Sequence, residues 1–186
     1  MNRPPRIMVI GTILSKALPD VLYPGQLPAD PRRPEFIRIQ HAAELSRKFD
    51  ELEADKRLPD IIIVAADNDL DGLDMLVTTQ HNQGDDTLTS FVAANPPIPG
   101  LWIINWIQAR FQEPPIIDYH PTFILFSKGE ETRLYIDWVL EHTIVDLTCR
   151  EKWTKLLKTI EVIDWIERGN PTRLMSIIQE VCNKPD

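Results

Sequence analysis

The stretch from Leu58 to Gly72 reads LPDIIIVAADNDLDG. Ile61, Ile62, Ile63 and Val64 form an unbroken run of branched apolar side chains, which Ala65 and Ala66 extend. Such a run predicts a strand covered on both faces, as in parallel sheets flanked by helices. Four acids follow within eight positions: Asp67, Asp69, Asp71 and Asp74. In an open α/β sheet, ligands bind at the carboxyl ends of the strands, which is where these acids fall.

Working outward, RIMVIGT (Arg6 to Thr12) is a second short apolar run and a predicted strand. ILSKALPDVL predicts a short helix stopped by Pro19, before the proline-rich loop Tyr23 to Pro34. EFIRIQ alternates apolar and polar residues, as a more exposed strand does. In the following segment Ala42, Leu45, Phe49 and Leu52 recur at helical spacing. Beyond the opening stretch, LWIINWIQARF (Leu101 to Phe111) reads as a helix apolar nearly all round, hence buried on more than one side. PTFILFS is a predicted strand, and EETRLYIDWVLEH a helix with Leu134, Trp138 and Ile136 inward. TIVDLT is read as the last strand. EKWTKLLKTIEVIDWIERG then gives one long amphipathic helix with Trp153, Leu156, Ile160, Ile163 and Ile166 as its stripe. A further helix, TRLMSIIQEVC, has Leu174, Ile177, Ile178 and Val181 on one side and is expected to dock on its own domain.

Strands alternating with helices imply a parallel sheet with helices on both faces. The fold expected is a flavodoxin-like, receiver-like three-layer sandwich. It has a five-stranded parallel sheet, an insertion of about residues 73–99 after the third strand, and an extra C-terminal helix. Residues 1–169 form the domain and 170–186 a helical appendage.

The totals fit that picture. The chain has 186 residues, 43% of them apolar, and a net charge of −8. One domain with a sizeable core is the expectation. The acidic pI near 5 speaks against a phosphate-binding surface and so against nucleic acid as a partner. Two cysteines make no disulfide framework. The opening MNRPPRIMVIGTIL lacks a small-residue cleavage pattern, and no apolar run reaches about 18 residues, so neither a secretory signal nor a membrane span is expected. Together these point to a cytoplasmic protein.

In this order the residues resemble the receiver domain of two-component response regulators. LPDIIIVA looks like the family's third strand, IPGLWIINWIQARF like its third helix, PTFILFSKGEE like its fourth strand, and TIVDLTCREKW like its fifth strand and exit. The resemblance implies a phosphoacceptor aspartate at the end of the third strand, an acid pair after the first, a hydroxyl after the fourth and a lysine after the fifth. Here those positions read Ala65 or Ala66, Gly11 and Thr12, Ser127, and Cys149. Only the hydroxyl is kept. Phosphoryl transfer to protein requires a nucleophile and charge neutralisation together. The resemblance is therefore to a pseudo-receiver: a non-enzymatic signalling protein, independent of phosphorylation, that acts through a protein partner or as a homodimer. The family's contact face of fourth helix, fifth strand and fifth helix would draw here on Tyr135, Val139 and Trp153.

The alternative is a flavodoxin-like protein or enzyme that binds a small molecule, nucleotide or divalent metal with the Asp67–Asp74 loop. Asp67, Asp69 and Asp71, with Gly72 sixth, begin like a calcium loop. Thr78 then stands where the bidentate glutamate belongs, and a strand, not a helix, precedes the loop. A solvated, helix-capping acid run is the plainer reading. GTILS after the first strand lacks the glycine spacing of nucleotide loops. The four histidines show no paired metal-ligand spacing. No cofactor is expected.

Overall fold

The computed structural model describes residues 4–25, 33–66, 99–111, 119–127, 132–142, 147–164 and 172–183. Five strands run in parallel: β1 (Arg6–Ile10), β2 (Glu35–Ile39), β3 (Ile61–Ala65), β4 (Thr122–Ser127) and β5 (Ile160–Asp164). Their order across the sheet is β2-β1-β3-β4-β5. Between them lie α1 (Leu14–Leu22), α2 (Ala42–Ala54), α3 (Pro99–Phe111), α4 (Thr132–His142) and α5 (Leu147–Leu157), and α6 (Thr172–Cys182) follows β5. This is a three-layer, flavodoxin-like α/β fold.

The two-residue period of the strands divides the core. Met8, Ile10, Ile62, Val64, Ala66, Phe123 and Leu125 face one layer, built from α2, α3, α4 and α5. Ile7, Val9, Ile61, Ile63, Ala65, Ile124 and Phe126 face the other, built from α1 and α6. Because both sides of β1 and β3 are covered, the buried positions Ile7 to Ile10 of β1 and all of β3 are apolar, and β3 is buried along its whole length. β2, at the sheet's edge, leaves Arg38 exposed. In α2, Ala42, Leu45, Phe49 and Leu52 are the buried positions, as their spacing predicts.

α3 buries Leu101, Trp102, Ile103, Ile104 and Ile107, so it is enclosed on more than one side. Trp106 meets Phe49 of α2 edge to face, with ring centroids 6.2 Å apart. At the far end of α3, Arg110 donates to Glu53 of α2 at 2.7 Å. α3 is thus tied to α2 along its C-terminal half.

Three sequence expectations are corrected. α1 does not stop at Pro19 but runs through it to Leu22. Proline lacks the N–H that an interior helical residue supplies. Burial of Leu18, Pro19 and Leu22 against the sheet outweighs that loss, and the Pro19 carbonyl accepts from Tyr23 N–H at 3.1 Å.

The second correction concerns the last strand. It is Ile160–Asp164, not TIVDLT. Leu147 and Thr148 begin α5, and residues 143–146 lie outside the described residues. The stripe Trp153, Leu156, Ile160, Ile163 is continuous at helical spacing, so periodicity hides the break. It falls at Lys158 and Thr159. Their N–H groups bond back three residues, to Lys155 O at 3.2 Å and Leu156 O at 2.9 Å. The Thr159 hydroxyl also donates to Leu156 O, at 2.7 Å. This tightened turn ends the helix, and the β-branched Ile160, Val162 and Ile163 lie in the strand.

The third follows from the second. β4 and β5 are joined by two helices where one was expected, and the C-terminal helix is the one that follows β5. Leu174 and Ile178 of α6 are buried in the same cluster as Leu14, Leu18 and Leu22 of α1. α6 is therefore part of the α1 layer of the domain and not an appendage to it. The expected insertion at 73–99 lies, apart from Pro99, outside the described residues.

At the amino edge of the sheet, polar groups close on one another. The Arg6 guanidinium donates to both oxygens of Glu35, at 2.8 and 2.7 Å, and also reaches the Arg57 carbonyl. Arg57 approaches Glu35 at 3.1 Å. The Arg6 N–H donates to the Asp60 carboxylate at 2.7 Å, and Tyr119 donates its hydroxyl to the Pro59 carbonyl. This edge joins the starts of four neighbouring strands and leaves the opposite edge as the place for a site.

Candidate functional site: the carboxyl edge between β1 and β3

In the order β2-β1-β3-β4-β5 the chain leaves β1 toward one side and returns on the other. The switch point is therefore the crevice between the carboxyl ends of β1 and β3. On the β1 side stand Gly11 and Thr12. Gly11 has φ +143°, a conformation that side chains resist. Its N–H donates to Ile39 O at 3.0 Å, and its carbonyl accepts from Ser15 N–H at 3.0 Å, which begins α1. The Thr12 hydroxyl donates to Gln40 O at 2.8 Å and ties the turn to the end of β2. Ser15 is fully buried beneath this turn.

On the β3 side stand Ala65 and Ala66, both buried. Alternation sends Ala65 toward the α1 layer and Ala66 toward the α3 layer. The Ala66 N–H donates to Phe126 O at 2.7 Å, continuing the ladder with β4. The first turn of α3 closes over this end, where Gly100 N–H donates to Ala66 O at 3.2 Å. A Cβ at Gly100 would lie 2.3 Å from the Ala65 carbonyl oxygen and 2.7 Å from Leu125 Cδ1. Glycine is what lets the helix start so close to the strand. β4 ends at Ser127, buried and paired in register with Asp164 of β5.

Gly11, Thr12, Ala65, Ala66 and Ser127 therefore all lie at the carboxyl edge of the sheet, at the ends of three neighbouring strands. No protein-family model, no curated protein and no solved structure matches the chain.

Cys149 does not join that group. It lies in α5, ahead of β5, whereas the expected lysine position comes after β5; its side chain lies outside the described residues. Asp67, Asp69 and Asp71 likewise lie outside them. Among the described residues no three His, Cys, Asp or Glu side chains cluster as metal ligands would. None of the described helices is long and apolar enough to cross a membrane.

The expected contact face also changes. Trp153 is 2% exposed and belongs to the core, so it offers nothing to a partner. The side chains of Tyr135 and Val139 lie outside the described residues. Instead Leu134 and Trp138, expected inward, are 63% and 55% exposed, while Ile136 is fully buried. α4 carries apolar residues on both flanks, so spacing alone does not say which flank meets the sheet. Leu147, at the start of α5, is 70% exposed. Arg150 of α5 donates to the Glu141 carbonyl at 2.9 Å and so brings the start of α5 to the end of α4. Trp138 stacks on His142 at 4.9 Å between ring centroids, and His142 donates from Nδ1 to the Trp138 carbonyl at 2.8 Å.

Proposed function

We propose that this chain is a non-enzymatic regulatory protein, a receiver-like domain that works without phosphorylation and through protein contacts. One observation carries the reading. The two residues that close β3 at the switch point, Ala65 and Ala66, are buried and carry only methyl groups, Ala65 toward the α1 layer and Ala66 toward the α3 layer. Neither has a nucleophilic atom, and α3 starts so close to their backbone that a Cβ at Gly100 would lie 2.3 Å from the Ala65 carbonyl oxygen. Gly11 and Thr12 stand where the metal-holding acids of a receiver would be. Leu134 and Trp138, four residues apart on one face of α4, support action by contact, because large apolar side chains so exposed favour association, and Leu147 on α5 is exposed as well.

The test is incubation of the purified protein with acetyl phosphate and Mg²⁺, followed by intact-mass analysis. No covalent adduct is expected. A phosphoaspartate located by peptide mapping overturns the reading, wherever in the chain it occurs.

A further inference from the structure

We draw no further inference here: the strongest candidate, the exposed apolar patch of Leu134 and Trp138 on α4 with Leu147 on α5, carries nothing beyond the contact role already proposed for it, because nothing in the structure shows what covers it.

Discussion

Replacing Gly100 with alanine tests how tightly α3 is seated on β3. The added methyl group would lie 2.3 Å from the Ala65 oxygen and 3.0 Å from the Ala65 carbonyl carbon, with Leu125 Cδ1 at 2.7 Å. Two of these three neighbours are backbone of a central strand and have no rotamer to change. Reaching even 3.0 Å from the oxygen requires α3 to lift by roughly 0.7 Å, a shift that a close-packed core resists. Lifting it stretches the Gly100–Ala66 hydrogen bond, already 3.2 Å long. Overpacking costs about 1–3 kcal/mol, and a lost hydrogen bond about 1 kcal/mol. The better helix propensity of alanine returns at most about 1 kcal/mol. The expected net loss is about 2 kcal/mol, or about 4–8 °C in melting temperature for a chain of this length. Urea unfolding followed by far-UV circular dichroism measures it, with Gly25→Ala as the control. Gly25 has φ +71° and nothing within 4 Å of an added Cβ, so its variant reports backbone strain alone, about 1–2 kcal/mol. A Gly100→Ala protein as stable as the wild type, or more stable, refutes the argument that helix and strand meet too closely for a side chain.

Three other outcomes are expected. Trp153→Ala should cost about 3–5 kcal/mol, since Trp153 is core, while Leu134→Ala should change stability by less than about 0.5 kcal/mol; similar losses from both in urea titrations would contradict the assignment of faces. The hydrogen bond from Arg6 holds the Glu35 carboxyl below the ordinary glutamate value of 4.5 against a smaller opposing effect of burial, and the charges of Arg6 and Arg57 add to the lowering. Its stabilising contribution is therefore full above the unfolded-state pKa and lost as pH falls through the lower folded one. The advantage of wild type over Glu35→Gln in urea midpoint should shrink from pH 7 to pH 3, and a constant gap would exclude the ion pair as its source. Burial, with the Asp60 charge second, pushes the Tyr119 phenol well above its ordinary value. It should stay un-ionised in ultraviolet titration until the protein unfolds, and stability should fall as pH rises above the unfolded-state value of about 10. Tyr119→Phe should remove that late absorbance change at a cost of about 1 kcal/mol, and an early, ordinary titration of Tyr119 would mean that the ring is not enclosed.

The parts of the fold legible in the sequence are those in which one periodicity had no competitor. The short β-branched run Ile61 to Val64, preceded by Pro59 and followed by acids, suits a doubly covered strand, and Ala42, Leu45, Phe49 and Leu52 fit one helix face. Gly11, Thr12, Ala65, Ala66 and Ser127 are singled out by the resemblance to receivers, and all five lie at the carboxyl edge of the sheet. Legibility failed where two patterns shared the same residues. From Trp153 to Ile163 the apolar stripe suits a single helix, and the break rests on a local turn that Thr159 completes. On α4, Ile136 and the pair Leu134 and Trp138 lie on different flanks, and only the packed structure decides between them. Pro19 gave a stop signal that its burial overrides.

The strand order has a kinetic consequence. β1 pairs with both β2 and β3, so residues 6–65 hold three adjacent strands within one continuous stretch of chain. β4 and β5 pair within another. The seam between the two groups joins Ile61 to Thr122, the widest separation along the chain of any strand pairing in the sheet. Closing it carries the largest loop entropy and brings its return only after both groups exist. The last cooperative step of folding is therefore expected at the β3–β4 seam, and the first breach on unfolding in the same place, directly beneath the contact of Gly100 with Ala65 and Leu125.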